Sequence, residues 1–202
     1  MTSSKLQLKI FAEPKAHAAP EAFIPVLHRW IKEHVLAELM IDVANYAHVP
    51  KGPGVVLIGH TGDYFIDESE GRLGLLYSRK RGRPNADSPV EDLFRRTLHA
   101  ASLLEKDPAF ATAETKLRFS PNELLFRIND RLTAPANDAT FTAVKPELEA
   151  VARKLFDGPF ELTRVGDAKS LFGVKLVSPA KSSVDLSTLL GRLGGPPVPD
   201  LP

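Results

Sequence analysis

Between Glu38 and Arg83 the chain is written almost entirely in strands and tight turns. Leu39, Ile41 and Val43 alternate with Met40, Asp42 and Ala44, the period of two that sends successive side chains to opposite faces of a sheet. Lys51 to Gly54 supplies a turn. Val55 to Ile58 then runs as an unbroken apolar block between glycines, the pattern expected of a strand covered on both faces and placed centrally in its sheet. Tyr64 to Ile66 and Leu73 to Tyr77 follow as strands, joined by the acidic loop Asp67 to Gly71. Links this short connect antiparallel neighbours, because a parallel return needs a crossover of a dozen or more residues.

The flanking segments extend the same picture. Leu6, Leu8 and Ile10 alternate with Gln7, Lys9 and Phe11, which predicts a strand with one face in a core, ending at Pro14. Phe23, Leu27, Trp30, Ile31 and His34 recur at helical spacing, predicting a helix over 22–34 with Pro25 tolerated in its first turn. Ser88-Pro89-Val90-Glu91 is the sharpest local signal. Ser88 can accept from the amide of Glu91, Glu91 can reach back to Ser88, and Pro89 takes the first helical position where no donor is needed. The helix so started, 89–106, shows one apolar face from Val90 through Leu93, Phe94, Leu98 and Ala101 to Leu104.

Beyond Pro108, Leu117 and Phe119 lead into a Ser120-Pro121-Asn122 turn, and Leu124, Phe126 and Ile128 follow, the pattern of a hairpin. A polar loop from Thr133 to Asp138 precedes a helix over 143–157, with Pro146 early and Gly158 at its stop. Two strands, Phe160 to Val165 and Leu171 to Val177, come next. Asp185 caps a last helix over 186–193, and Gly194-Gly195-Pro196-Pro197 opens a tail that cannot be helical, expected to be a linker or flexible end.

These elements predict an α+β fold, a mainly antiparallel sheet covered by about four helices. Along the chain they divide into an N-terminal half (1–84), a connecting capped helix (85–112), a C-terminal half (113–193) and the Pro/Gly tail (194–202), all within one compact domain. Residues 5–58 and 123–177 share the order strand, helix, strand, strand, and Gly54-Val55-Val56-Leu57-Ile58 echoes Gly173-Val174-Lys175-Leu176-Val177. Two pseudo-repeated βαββ units would account for both, although short apolar matches arise readily among strands.

Composition bounds the function. With 202 residues, 43% of them hydrophobic and 25% charged, the chain can bury a sizeable core. It contains no cysteine, which excludes disulfides, thiolate metal sites and a cysteine nucleophile and fits a reducing cytoplasm. No apolar run reaches membrane-spanning length, and Met1 to Lys9 lacks the apolar centre of a signal peptide. A soluble cytoplasmic protein with no membrane partner is therefore expected. A formal charge of +1 gives no global attraction to nucleic acid, so any such binding would need a local patch.

Candidate functional residues gather in the first half: His48, His60, Asp63, Tyr64, Arg79 and Arg81. If the Lys51 to Gly54 turn closes a hairpin, His48 and His60 are placed to be neighbours. With Asp63 they have the composition of an open metal site, but their spacing matches no compact ligand motif, and His60 reads more simply as a turn residue. No metal or cofactor is implied. The glycine turns at 52–54 and 59–62 are not followed by a helix, as phosphate loops require, and no serine sits in a nucleophile elbow.

Arg79-Lys80-Arg81-Gly82-Arg83 is the one basic run of note, read as a solvated loop that can clamp an anion, with Tyr77 near enough to stack a base. Glu68, Glu70, Asp87, Glu91 and Asp92 flank it, which argues against nucleic acid as the partner. The leading expectation is a non-catalytic intracellular binding or assembly protein, using a sheet face and these loops to hold a protein partner or an anionic small ligand. Two alternatives stand beside it. One is a small metal-assisted, hydrolase-like enzyme using His60 and Asp63, with Arg79 or Arg81 on an anionic substrate. The other is nucleic-acid binding through the Arg79 to Arg83 loop. An unpaired sheet edge would also allow a homo-oligomer.

Overall fold

The first strand, β1 (Leu6–Ala12), lies in the middle of the fold, and its seven residues are all buried. In the computed structural model, which describes residues 5–14, 18–80, 88–112, 116–179 and 184–200, seven further strands join it. They are β2 (Met40–Tyr46), β3 (Gly54–Gly59), β4 (Gly62–Asp67), β5 (Gly74–Arg79), β6 (Phe119–Ile128), β7 (Glu161–Val165) and β8 (Phe172–Val177). Together they form one sheet in the order β2-β3-β4-β5-β1-β6-β8-β7, with every neighbouring pair antiparallel. The four helices are α1 (Phe23–Glu33), α2 (Pro89–Lys106), α3 (Asp138–Leu155) and α4 (Leu186–Arg192). This is the α+β architecture that the alternation of patterns predicts.

Register explains how the two faces differ. One row of paired residues crosses the sheet as Val43, Leu57, Tyr64, Tyr77, Leu8, Phe126, Val174 and Arg164. Apart from Arg164, its members belong to the apolar core or pack against it, together with Phe23, Val26 and Trp30 of α1, Leu93, Phe94 and Leu98 of α2, Leu148 and Val151 of α3 and Leu189 of α4. The helices therefore cover this face. One residue along, the row Ala44, Val56, Phe65, Leu76, Lys9, Leu125, Lys175 and Thr163 points to the other side. Val56, Leu76 and Leu125 are buried, yet they stand outside the helix-covered core.

The helices begin where side chains satisfy the first free amides. Ser88 accepts from Glu91 N at 3.2 Å, with Pro89 at the first position, as the sequence predicts. The Glu91 carboxylate turns instead to Arg95, at 2.6 Å, and to Lys154, at 2.6 Å. Asn137 accepts from Thr140 N at 2.9 Å, so α3 begins at Asp138, five residues before the expected start, and carries Pro146 in its interior. Asp185 accepts from Thr188 N at 2.7 Å and starts α4.

Several expectations are corrected. β3 lies second from the edge, and the centre belongs to β5 and β1. A bulge between Met40 and Asp42 inverts the start of β2, so that Met40 is buried while Leu39 and Ile41 stand exposed at the outer edge. Residues 119–128 form one strand and not a hairpin: β6 bulges against β1 between Phe119 and Leu124, and Pro121 sits in that bulge, where no ladder donor is required. The expected order strand, helix, strand, strand occurs as β1-α1-β2-β3 and as β6-α3-β7-β8, with β8 beside β6 and with β4 and β5 between β3 and β1. The tail is docked as far as Asp200, whose amide donates to Ala37 O at 2.8 Å. Among the described residues, no helix is long and apolar enough to cross a membrane.

Candidate binding site

A cleft of about 570 Å³ opens on the sheet face that the helices leave uncovered. Its floor comes from Phe11 of β1, Leu125 and Arg127 of β6, and Gly173 and Lys175 of β8, and the turn from Val165 to Leu171 forms one wall. Arg72, just before β5, and Glu70, in the 3-10 turn Ser69–Gly71, form the other. The bare backbone of Gly173 keeps the floor open, since a Cβ there would lie 2.9 Å from Val165 Cγ2. A volume of this size lies within the usual range for small-molecule sites, roughly 300 to 1,000 Å³.

Two glutamates organise the cations of the cleft. Glu123 accepts from Arg72 Nη1 at 2.6 Å and from Lys175 Nζ at 2.7 Å. Burial pushes its carboxyl up, but the hydrogen bonds from Lys175 and Arg72 outweigh that and hold it below the usual carboxylate range. Glu70 pairs with Arg127 and, at 3.0 Å, with Lys9. Burial again raises it, and Ser69, Lys9 and Arg127 together bring it down. Both carboxylates are thus ionised at neutral pH. Glu70 also holds a left-handed backbone, with φ of 62°, a conformation that a non-glycine residue keeps only when its surroundings enforce it.

Lys9 is the anchor behind this wall. Its ammonium is wholly buried, ion-paired to Asp67, and donates to Ser69 O at 2.8 Å and Ser69 Oγ at 3.0 Å. Its stem passes over Gly74, where a Cβ would come within 2.6 Å of Lys9 Cε. Taking an ammonium out of water costs several kcal/mol unless such partners surround it. Phe11 lies beneath two cations, with Lys9 Nζ 5.3 Å and Arg72 Cζ 4.7 Å from the ring centroid.

The helix-covered face carries a second cluster of charge, buried beneath α2. Glu38, just before β2, accepts from Tyr64 Oη at 2.8 Å, Thr61 Oγ1 at 2.6 Å and Tyr77 Oη at 3.3 Å, and lies 3.4 Å from Arg96 Nη1. Asp92 pairs with Arg96 Nε at 2.9 Å and with Arg79. The rings of Tyr64 and Tyr77 are 4.7 Å apart, and Gly62 makes room for the latter, since a Cβ there would fall 2.5 Å from it. Burial, reinforced by the nearby Glu38 charge, pushes both phenols well above their ordinary range. These groups tie β4, β5 and α2 together, although Arg79 Nε and Arg96 Nη1 are buried without a hydrogen-bond partner among the described residues.

The sequence-predicted residues do not converge. His48 lies exposed in the β2–β3 turn and His60 lies exposed at the β3–β4 turn, at opposite ends of β3, so they are not neighbours. The amide of His60 donates to Leu39 O at 2.9 Å. Asp63 is on the open face, paired with Lys80 at 2.7 Å and accepting from Gly59 N at 3.1 Å. Tyr64 and Arg79 are on the other face, buried in the cluster just described. Arg79 therefore closes a strand and is not part of a solvated loop, and Tyr77, fully buried, has no face free to stack a base. Arg81 lies outside the described residues. Among the described residues, no group of three His, Asp or Glu side chains is placed to hold a metal ion.

Sequence reading passes over the residues that do line the cleft. Arg72, Glu123, Arg127 and Lys175 come from three separate segments, and only the pairing of β5, β1, β6 and β8 brings them together. Read alone, the mixed charges of β6 have the character of a solvated sheet face. A second cleft of about 590 Å³, lined by Tyr46, Val49, Pro50, Lys51 and Glu68 among others, lies beyond the same turn and shares Glu70 as a wall. No family model matches the chain, and no curated protein or solved structure is significantly similar to it.

Proposed function

We propose that this chain is a binding protein that holds a small organic anion with an apolar body in the cleft on the open sheet face. One observation carries the reading: Arg72, Arg127 and Lys175 share a single cleft with an apolar lining of Phe11, Leu125 and Leu171. Guanidinium and ammonium groups recognise carboxylate, sulfonate or phosphate oxygens, and the floor takes the apolar portion. Each of these cations already has a glutamate, so an incoming anion competes with Glu70 and Glu123 for them. The cleft then favours a ligand whose apolar part adds its own burial.

The chemistry supports holding the ligand over transforming it. The carboxylates of the cleft are held ionised by their cations, and a carboxylate of lowered pKa is a poor carrier of protons near neutral pH. The cysteine-free composition suits a reducing compartment, which supports a cytoplasmic setting for this role.

Fluorescence titration with anilinonaphthalene sulfonate, followed by displacement with decanoate, tests the proposal. Saturable binding to the native chain, weakened by salt, is expected. Arg127→Ala should lower the affinity about tenfold, or about 1.4 kcal/mol, whereas Lys51→Ala in the second cleft should leave it unchanged. Equal loss in both variants, or none in Arg127→Ala, would contradict the assignment.

A further inference from the structure

On the opposite face of the sheet from the cleft, the end of the tail occupies a site built from three groups. Arg96 Nη2 donates to Asp200 Oδ1 at 2.6 Å, Thr61 Oγ1 lies 2.9 Å from Asp200 Oδ2, and Ala37 O accepts the Asp200 amide at 2.8 Å. Arg96 is only 3% exposed, and its other nitrogens are engaged with Asp92 and Glu38. A buried guanidinium, a hydroxyl and a backbone carbonyl so arranged read one amide and one carboxylate of the same residue in an extended chain.

Charge marks Asp200 as an addition to the cluster, while its carboxylate supplies the acceptor for Arg96 Nη2. Glu38 and Asp92 balance Arg79 and Arg96 without it. Thr61 has one hydroxyl proton, yet touches Glu38 Oε2 at 2.6 Å as well as Asp200, so it donates to only one of them at a time. The tail is held by the buried Pro197 and by Asp200. It leaves α4 through Gly194 and Gly195, with φ of 88° and 90°, and three of the next five residues are prolines, which have no amide to donate. Val198 is exposed, and Asp200 makes the tail's side-chain hydrogen bonds to Arg96 and Thr61.

We propose that Arg96, Thr61 and the Ala37 carbonyl form an exchangeable socket for an extended segment bearing an aspartate carboxylate. The chain's own Asp200 fills it here, and the same segment of a second copy fits it in trans. Tethering gives the chain's own tail a high effective concentration, so a free segment competes poorly until that tail is disabled.

The probe is a fluorescent peptide of residues 194–200, amidated at its C-terminus so that the Asp200 side chain is its only carboxylate. It is titrated into the parent chain and into the full-length Asp200→Ala variant. The variant should bind the peptide saturably and at least about tenfold more tightly than the parent does, and a peptide carrying Asp200→Asn should not bind. Absence of saturable binding to a variant that melts like the parent would overturn the proposal, as would equal binding of the Asn peptide. Failure of Asp200→Ala to fold would also overturn it, because the tail would then be part of the structural cluster and not an exchangeable strap.

Discussion

Glu123 on β6 holds Lys175 on β8 at 2.7 Å, a diagonal contact between neighbouring strands, with its other carboxylate oxygen 2.6 Å from Arg72. One carboxylate therefore masks two of the three cations in the cleft. Replacing it with the neutral Glu123→Gln leaves those cations without a counter-charge. Affinity for anilinonaphthalene sulfonate should rise by about three- to tenfold, the effect of roughly 0.7 to 1.4 kcal/mol. A fall in affinity on titration would show that Glu123 contacts the ligand as an acceptor.

Glu38→Ala removes the acceptor shared by Tyr64, Thr61 and Arg96 and leaves the Arg96 charge buried and partly unpaired. Breaking a buried pair in this way costs about 3–5 kcal/mol. Urea denaturation should show that loss as a lower midpoint at unchanged slope. A loss below about 1 kcal/mol, the range of an exposed pair, would contradict the tight burial described for this cluster.

Much of the fold is legible in the sequence, and the reasons are local. Ser88, Pro89 and Asp185 announce helices because a cap acts within one turn of chain. The strands of the first half announce themselves by period and by short links. What the sequence hides is placement across the sheet. β1 reads as a strand with one buried face, and only its central position between β5 and β6 buries Lys9 as well. The cleft is hidden for the same reason. Arg127 gains its meaning from Glu70, which is 57 residues away in the chain. One faint signal of the buried cluster exists: Asp92 and Arg96 are spaced i,i+4 beside the apolar stripe of α2, where a charged pair is as easily buried as exposed. The Lys51 to Gly54 turn does close a hairpin, but the length of β3 sets His48 and His60 at its opposite ends.

Lys9→Met removes the ammonium but leaves Asp67 buried without its cation. The single variant should lose about 3–5 kcal/mol, and Lys9→Met combined with Asp67→Leu should lose clearly less, because an uncompensated buried charge costs more than an apolar replacement of the pair. Chemical denaturation of the two variants checks this. A double variant less stable than the single would contradict it.

At the alkaline end, burial raises the Tyr64 and Tyr77 phenols well above their ordinary value. Between the unfolded value near 10 and the higher folded value, the native state holds protons that the unfolded state has released. The stability these two groups contribute is therefore present in full below about pH 10 and is lost as pH rises beyond it. Absorbance titration should show two of the three tyrosines ionising only as the chain unfolds. Reversible ionisation of all three in the folded chain would contradict the buried placement.

The anion-binding account is tested most directly by amide NMR shifts during titration with decanoate. Shifts concentrated on Leu125, Arg127, Gly173 and the turn from Val165 to Leu171 are the predicted result. Shifts concentrated around Tyr46 to Gly52, or none at saturating decanoate, would contradict it.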